Sequence, residues 1–216
     1  MSPPSRQGVV LGGVMLLAAA GTLGVLLSKP RGADVGFWFD AISADTLATL
    51  PERLGGEITA SEMKTIETVA VREISHAFRD FQVGLSDRRD ATYRVRVVDS
   101  LRYPISPRMP APSAESRSIP GLGGQGAVNF RLIAHSAIMF APPEMDRDDM
   151  IEGIGRGIGR AAAHEFAHQF LGSAPIHDSK DTRSYEYGSA ARVEQYYGEM
   201  RWDIARPLLA QRIGLK

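Results

Sequence analysis

The chain has 216 residues, enough for one domain that buries a sizeable core. Its 25 Lys and Arg balance 25 Asp and Glu, so net charge gives no pull toward nucleic acid or a strongly acidic partner. It has no cysteine, which excludes disulfides, thiolate metal ligands and a cysteine nucleophile, and leaves His and carboxylates to carry any metal.

A short polar start, residues 1–8, leads into residues 9–27, VVLGGVMLLAAAGTLGVLL, a run without a single charge. As a helix it spans about 28 Å, close to the hydrocarbon thickness of a bilayer. Lys29, Pro30 and Arg31 close it. The run predicts a single-pass membrane anchor. A cleaved signal peptide is the alternative, with Ala18, Ala19 and Ala20 as small residues, but the apolar stretch continues past them to Leu27. Residues 28–33 are a linker, and residues 34–216 form the domain proper, expected outside the cytoplasm.

Within that domain, residues 34–43 are aromatic and β-branched and read as a first strand. Residues 46–59, broken by Pro51 and the Gly55-Gly56 pair, read as loop or short helix. Thr59 or Ser61 caps a long amphipathic helix over 62–81, with Met63, Ile66, Val69, Ala70, Ile74, Ala77, Phe78 and Phe81 at helical spacing. His76 in this helix reads as a surface or structural His. Residues 93–98, YRVRVV, alternate as a second strand whose Arg94 and Arg96 share a solvated face. Five prolines over 103–120 predict a long surface loop. Gly121-Leu122-Gly123-Gly124-Gln125-Gly126 matches the dinucleotide fingerprint by letter alone. No strand precedes it and no helix follows, so it is read as a flexible loop. Residues 127–140, AVNFRLIAHSAIMF, read as one or two strands, with His135 a sheet residue.

Asp146, Asp148 and Asp149 then open an apolar-periodic helix over 148–171, stopped by Gly172. Ile151, Ile154, Ile158, Ala161, Glu165 and His168 are its expected core-facing positions. Gly153, Gly155, Gly157 and Gly159 are costly in a helix and predict that another backbone approaches it closely. After a polar loop over 173–183 and a short aromatic segment at 185–188, residues 190–211 read as a closing helix interrupted near Pro207.

The end of the long helix carries His164-Glu165-Phe166-Ala167-His168, that is His-Glu-x-x-His. Positions i and i+4 lie on one helix face, so both imidazoles can hold one Zn²⁺, and Glu165 beside them can take a proton from its water. Catalytic zinc has three protein ligands and one open position. Three downstream residues compete for the third place: His177, which the Gly172 turn can return to the metal; its neighbour Asp178; and Glu186, at a spacing that suits a second helix.

HEFAH, a glycine turn and a third histidine resemble the metzincin clan of zinc-dependent endopeptidases, and the order of strand, long helix, strands and active-site helix is similar too. Against the clan's H-E-x-x-H-x-x-G-x-x-H, Gly172 comes one residue late and His177 three, and no Met stands between His168 and Met200 where a Met-turn belongs. The resemblance implies an α+β, zincin-like fold, with a small sheet packed on a long helix and an active-site helix. It implies Zn²⁺ on His164, His168 and His177, Glu165 as general base, a peptide or protein substrate, and Tyr185 or Tyr187 as oxyanion stabiliser. Two alternatives stand beside it: a gluzincin-like peptidase with Glu186 as third ligand, and a membrane-tethered zinc-binding protein without catalysis. The strand expected within 127–140 would offer an edge to an extended peptide.

Overall fold

Strand β1 (Ala33–Phe39) buries Ala33, Val35 and Phe37 on one side, as strand alternation dictates. The computed structural model describes residues 32–50, 52–101, 112–119, 122–172 and 176–216. After β1, Ser43 accepts from the Thr46 N–H and starts the short helix α1 (Ala44–Ala48), and a 3-10 turn follows at Glu52–Leu54. Helix α2 (Ala60–Ala77) opens on a full capping box between Thr59 and Glu62 and buries Ile66, Val69, Ala70, Ile74 and Ala77.

The sheet is completed by β2 (Val83–Ser86), β3 (Tyr93–Val98), β4 (Ala114–Ile119) and β5 (Gly123–Asn129) in the order β2-β1-β3-β5-β4. The pairs β1–β2, β1–β3 and β3–β5 are parallel; β4 runs antiparallel to β5 on the outer edge. Helices α3 (Phe130–Phe140), α4 (Arg147–Leu171), α5 (Glu194–Tyr197) and α6 (Ala205–Ile213) complete the domain. The result is an α+β fold built around a five-stranded mixed sheet.

Helix α4 is the axis of this arrangement. Asp146 caps it by accepting from the Asp149 N–H, and Gly172 ends it at a φ of 81°. Its glycines admit neighbours. Gly155 lies against the Ile66 carbonyl and Val69 of α2, and Gly159 against the Ala70 carbonyl, while the Tyr197 and Tyr196 rings press on Gly153 and Gly157. A methyl group at Gly159 would sit 2.5 Å from Ala70 O. Gly159→Ala is therefore expected to destabilise by about 1–3 kcal/mol, where the same change on an open helix face stabilises by up to about 1 kcal/mol. A thermal melt reads the sign: a raised midpoint contradicts the close packing of α2 on α4.

Farther along the face that meets α2, α4 is clamped by aromatics. Phe166 and Phe170 stack at 6.3 Å, the Phe78 edge meets Phe170 at 5.7 Å, and Trp202 lies 5.4 Å from Phe78. Each fully buried Phe contributes about 1.5–3 kcal/mol, so the helix register is fixed. Residues 164 and 168 fall on the face opposite 166 and 170. Toward the sheet, the buried Gln169 side chain accepts from the Arg94 N–H at 3.1 Å and donates to the Arg94 carbonyl at 2.9 Å, pinning α4 to β3.

Near the start of α4, Arg147 grips Glu62 with two bonds, 2.6 and 3.0 Å. Chiefly through this pairing the Glu62 carboxyl falls to about 2. Its folded value thus lies below the unfolded one, near 4.3. The stabilisation is complete above that unfolded value and is lost as pH falls through the folded one. Urea midpoints are expected to drop between about pH 4.5 and 2, and Glu62→Gln should flatten that drop; an unchanged slope contradicts the pairing.

Several expectations need correcting. No helix among the described residues is long and apolar enough to cross a membrane. This overturns the membrane helix in the expected fold class and the single-pass localisation drawn from it; residues 9–27 themselves lie outside the described residues. Of residues 127–140 only 127–129 are strand, as the end of β5; there the Asn129 side chain accepts from the Leu132 N–H and starts helix α3, on which His135 is exposed. The glycine-rich stretch expected as a loop supplies β5, because Gly124 and Gly126 leave room for the Gln169 side chain. The proline-rich loop holds β4 in its last part; residues 102–111 and 120–121 lie outside the described residues. Strand β2, at Val83–Ser86, lies in a stretch with no expected element. The closing helix breaks at Gly198–Asp203, not at Pro207, which sits harmlessly in the first turn of α6.

Candidate metal centre

Three histidine nitrogens meet at the C-terminal end of α4. The Nε2 atoms of His164 and His177 are 2.9 Å apart, those of His164 and His168 3.2 Å, and those of His168 and His177 3.3 Å. Two ligands on neighbouring corners of a zinc tetrahedron are separated by about 3.3 Å, given Zn–N bonds of about 2.0–2.1 Å. The proton inventory supports the same fit. His164 Nδ1 lies 2.7 Å from the Tyr185 carbonyl and must donate to it, which leaves Nε2 as a bare lone pair. Burial drives the His164 ring down to about 3 and lowers His168 as well, with the neighbouring histidines adding to the shift. Three Nε2 atoms converging in this way are the donor set a divalent cation satisfies, and the carbonyl behind His164 fixes its tautomer as a metal ligand requires.

His177 is brought to this point at some conformational cost. Its φ is 86°, and among the described residues no other non-glycine has positive φ. Such a backbone costs of order 1–3 kcal/mol and persists only where its surroundings impose it. Those surroundings are visible: Ile176 is buried, the His177 N–H donates to the Glu186 carbonyl at 3.0 Å, and Gly188 leaves space for the imidazole, 3.3 Å from where its own Cβ would stand.

Glu165 is 5% exposed and lines the same cleft, which measures about 870 Å³. On the helix wheel it lies between the metal face and the sheet face marked by Gln169. Burial, helped by the Glu115 charge on β4, raises its carboxyl to about 8, so without a cation beside it the neutral acid is favoured at neutral pH. A cation at the histidines would act in the opposite direction and favour the carboxylate. Edge strand β4 forms one wall of the cleft and is tied to the helix by Ser118 Oγ, which donates to the His168 carbonyl at 3.3 Å.

The remaining expected site residues separate clearly. The Glu186 carboxyl is fully buried and is not part of the histidine cluster. Its Oε1 accepts from the Asp203 N–H at 2.6 Å, serving the start of α6, which has no cap of its own. Burial raises its carboxyl, and the backbone N–H groups of Ala205, Asp203 and Ile204 work against that rise. Asp178 is exposed and outside the histidine cluster. Tyr185 meets the site through its carbonyl, not its phenol: the ring packs 4.9 Å from Trp202, and burial pushes its hydroxyl up to about 12. Tyr187 does line the cleft, beneath the guanidinium of Arg192 at 4.8 Å. Arg160 and Arg192, two buried cleft residues, carried no recognisable sequence signal: the first sits in a helical stretch, the second in a loop.

No protein-family model, no curated protein and no solved structure matches this chain.

Proposed function

We propose that the chain is a zinc-dependent peptidase, metzincin-like in the HEFAH segment that resembles that clan. The observation that carries the reading is the convergence of three Nε2 atoms from His164, His168 and His177 beside the buried carboxyl of Glu165 in one open cleft. A purely structural zinc site takes four protein ligands and needs no base; three histidines and an adjacent carboxylate suit a catalytic one. Zinc held there supplies a Lewis acid and lowers the pKa of a water to about 7.

The chain's own groups do the rest. Glu165 Oε accepts the proton of the attacking water as the water oxygen bonds to the scissile carbonyl carbon. The same Oε returns that proton to the leaving nitrogen as the C–N bond breaks. His164 is held in orientation by the Tyr185 carbonyl throughout. The substrate backbone is placed by β4, because among the described residues it is this strand, and not a segment of 127–140, that lies at the sheet edge along the cleft. An extended peptide adds to such an edge through main-chain hydrogen bonds.

The test is cleavage of an undirected peptide library by the zinc-loaded chain, read by mass spectrometry. Cleavage that stops with a chelator and returns with zinc is expected. Bound zinc with every peptide intact overturns the reading and leaves a zinc-binding protein.

A further inference from the structure

Three arginines line the cleft; Arg117 is exposed on β4, and the charges of the two buried ones are treated differently. Arg160 is 5% exposed and pairs with Glu73 at 2.9 Å. Arg192 is 8% exposed and makes no ion pair among the described residues. Its Nε donates to the Thr182 carbonyl at 2.6 Å, its Nη2 donates to the Ser184 carbonyl at 3.1 Å, and the Tyr187 ring lies beneath it. These partners aim the guanidinium but do not neutralise it. Glu194 exerts a favourable charge on it, yet Glu194 Oε1 accepts from Thr182 Oγ1 instead.

A nearly buried cation without a counter-ion costs several kcal/mol in principle, and chains rarely keep one without use. We infer that Arg192 binds a carboxylate of the substrate in the cleft beside the histidine triad. The planar fork of N–H groups left by the two carbonyl bonds matches a carboxylate in two-point fashion. The ligand chemistry is a carboxylate, and two sources present one: the C-terminal α-carboxylate of a peptide, or an Asp or Glu side chain near the scissile bond. Burial also pulls Arg192 down to about 10, the expected direction for a cation that awaits its partner. The inference rests on the peptidase reading for its kinetic arm only.

The experiment compares three forms of one cleavable peptide on the zinc-loaded full chain: free C-terminus with an internal Gln, C-terminal amide with Gln, and C-terminal amide with Glu. One carboxylate form is expected to exceed the neutral form about 10–100-fold in kcat/KM, and the form that does so identifies the source. Arg192→Gln should erase that advantage, and Arg192→Lys, which keeps charge but loses the fork, should retain part of it. Equal rates for all three forms on the unaltered chain overturn the inference without need of a variant, as does an advantage that survives Arg192→Gln. Calorimetric binding of the same peptides to zinc-loaded Glu165→Gln separates the two proposals. Arg192-dependent preference in binding, with no turnover by the unaltered chain, upholds Arg192 and sinks the peptidase reading. Turnover without preference does the reverse, and binding without preference, or no binding, overturns the carboxylate site.

Discussion

Glu165→Gln should bind zinc as the unaltered chain does and hydrolyse peptides at least about 10²–10⁴ times more slowly, the contribution of a positioned general base. The substitution conserves shape in a position that is 5% exposed. It also relieves the burial that raises the Glu165 carboxyl, so the domain should not unfold. What it removes is the acceptor for the water proton. Zinc content by elemental analysis and cleavage rate, measured on the same preparation, decide between roles. Lost zinc would make Glu165 a ligand; unchanged hydrolysis would mean that the proton goes elsewhere.

The second large effect concerns the third ligand. His177→Gly removes an imidazole while accepting the φ of 86° at no steric cost, so its outcome reports the ligand and not the backbone. Zinc affinity should fall by more than the ~100-fold typical for loss of an outer partner, and hydrolysis with it. Glu186→Ala should do the opposite: keep zinc and lose stability by about 0.5–2 kcal/mol, the range for a helix cap, because its Oε1 serves the Asp203 N–H. Zinc lost with Glu186 and kept without His177 would restore the gluzincin-like alternative.

The parts legible in the sequence were those set by local chemistry. The cap at Thr59, one of the two candidates, the acidic start and glycine stop of α4, and the i, i+4 spacing of His164 and His168 are short-range patterns, and each stands where its residues predict. The glycine spacing of α4 was read as close approach, and α2 is what approaches. The misreadings share another cause. AVNFRLIAHSAIMF has strand propensity, yet only its first three residues are strand; Asn129 caps the rest as a helix, and most of β5 is the preceding glycine-rich stretch. That exchange depends on Gln169, far along the chain, needing space against β5. The His177 placement was anticipated as a return after Gly172, but its left-handed backbone and its hold on the Glu186 carbonyl were not, since neither follows from spacing. Arg192 carries no sequence signal for the same reason: its lack of an ion pair is a property of the folded cleft.

Three histidine nitrogens already lie 2.9–3.3 Å apart, and whether they hold a metal decides what the cleft can do. The direct measurement is zinc stoichiometry of the full chain after saturation and exhaustive removal of free metal. One zinc per chain, absent from the double variant His164→Ala, His168→Ala, is the predicted result. A folded chain that retains none, or whose zinc persists in that variant, contradicts it.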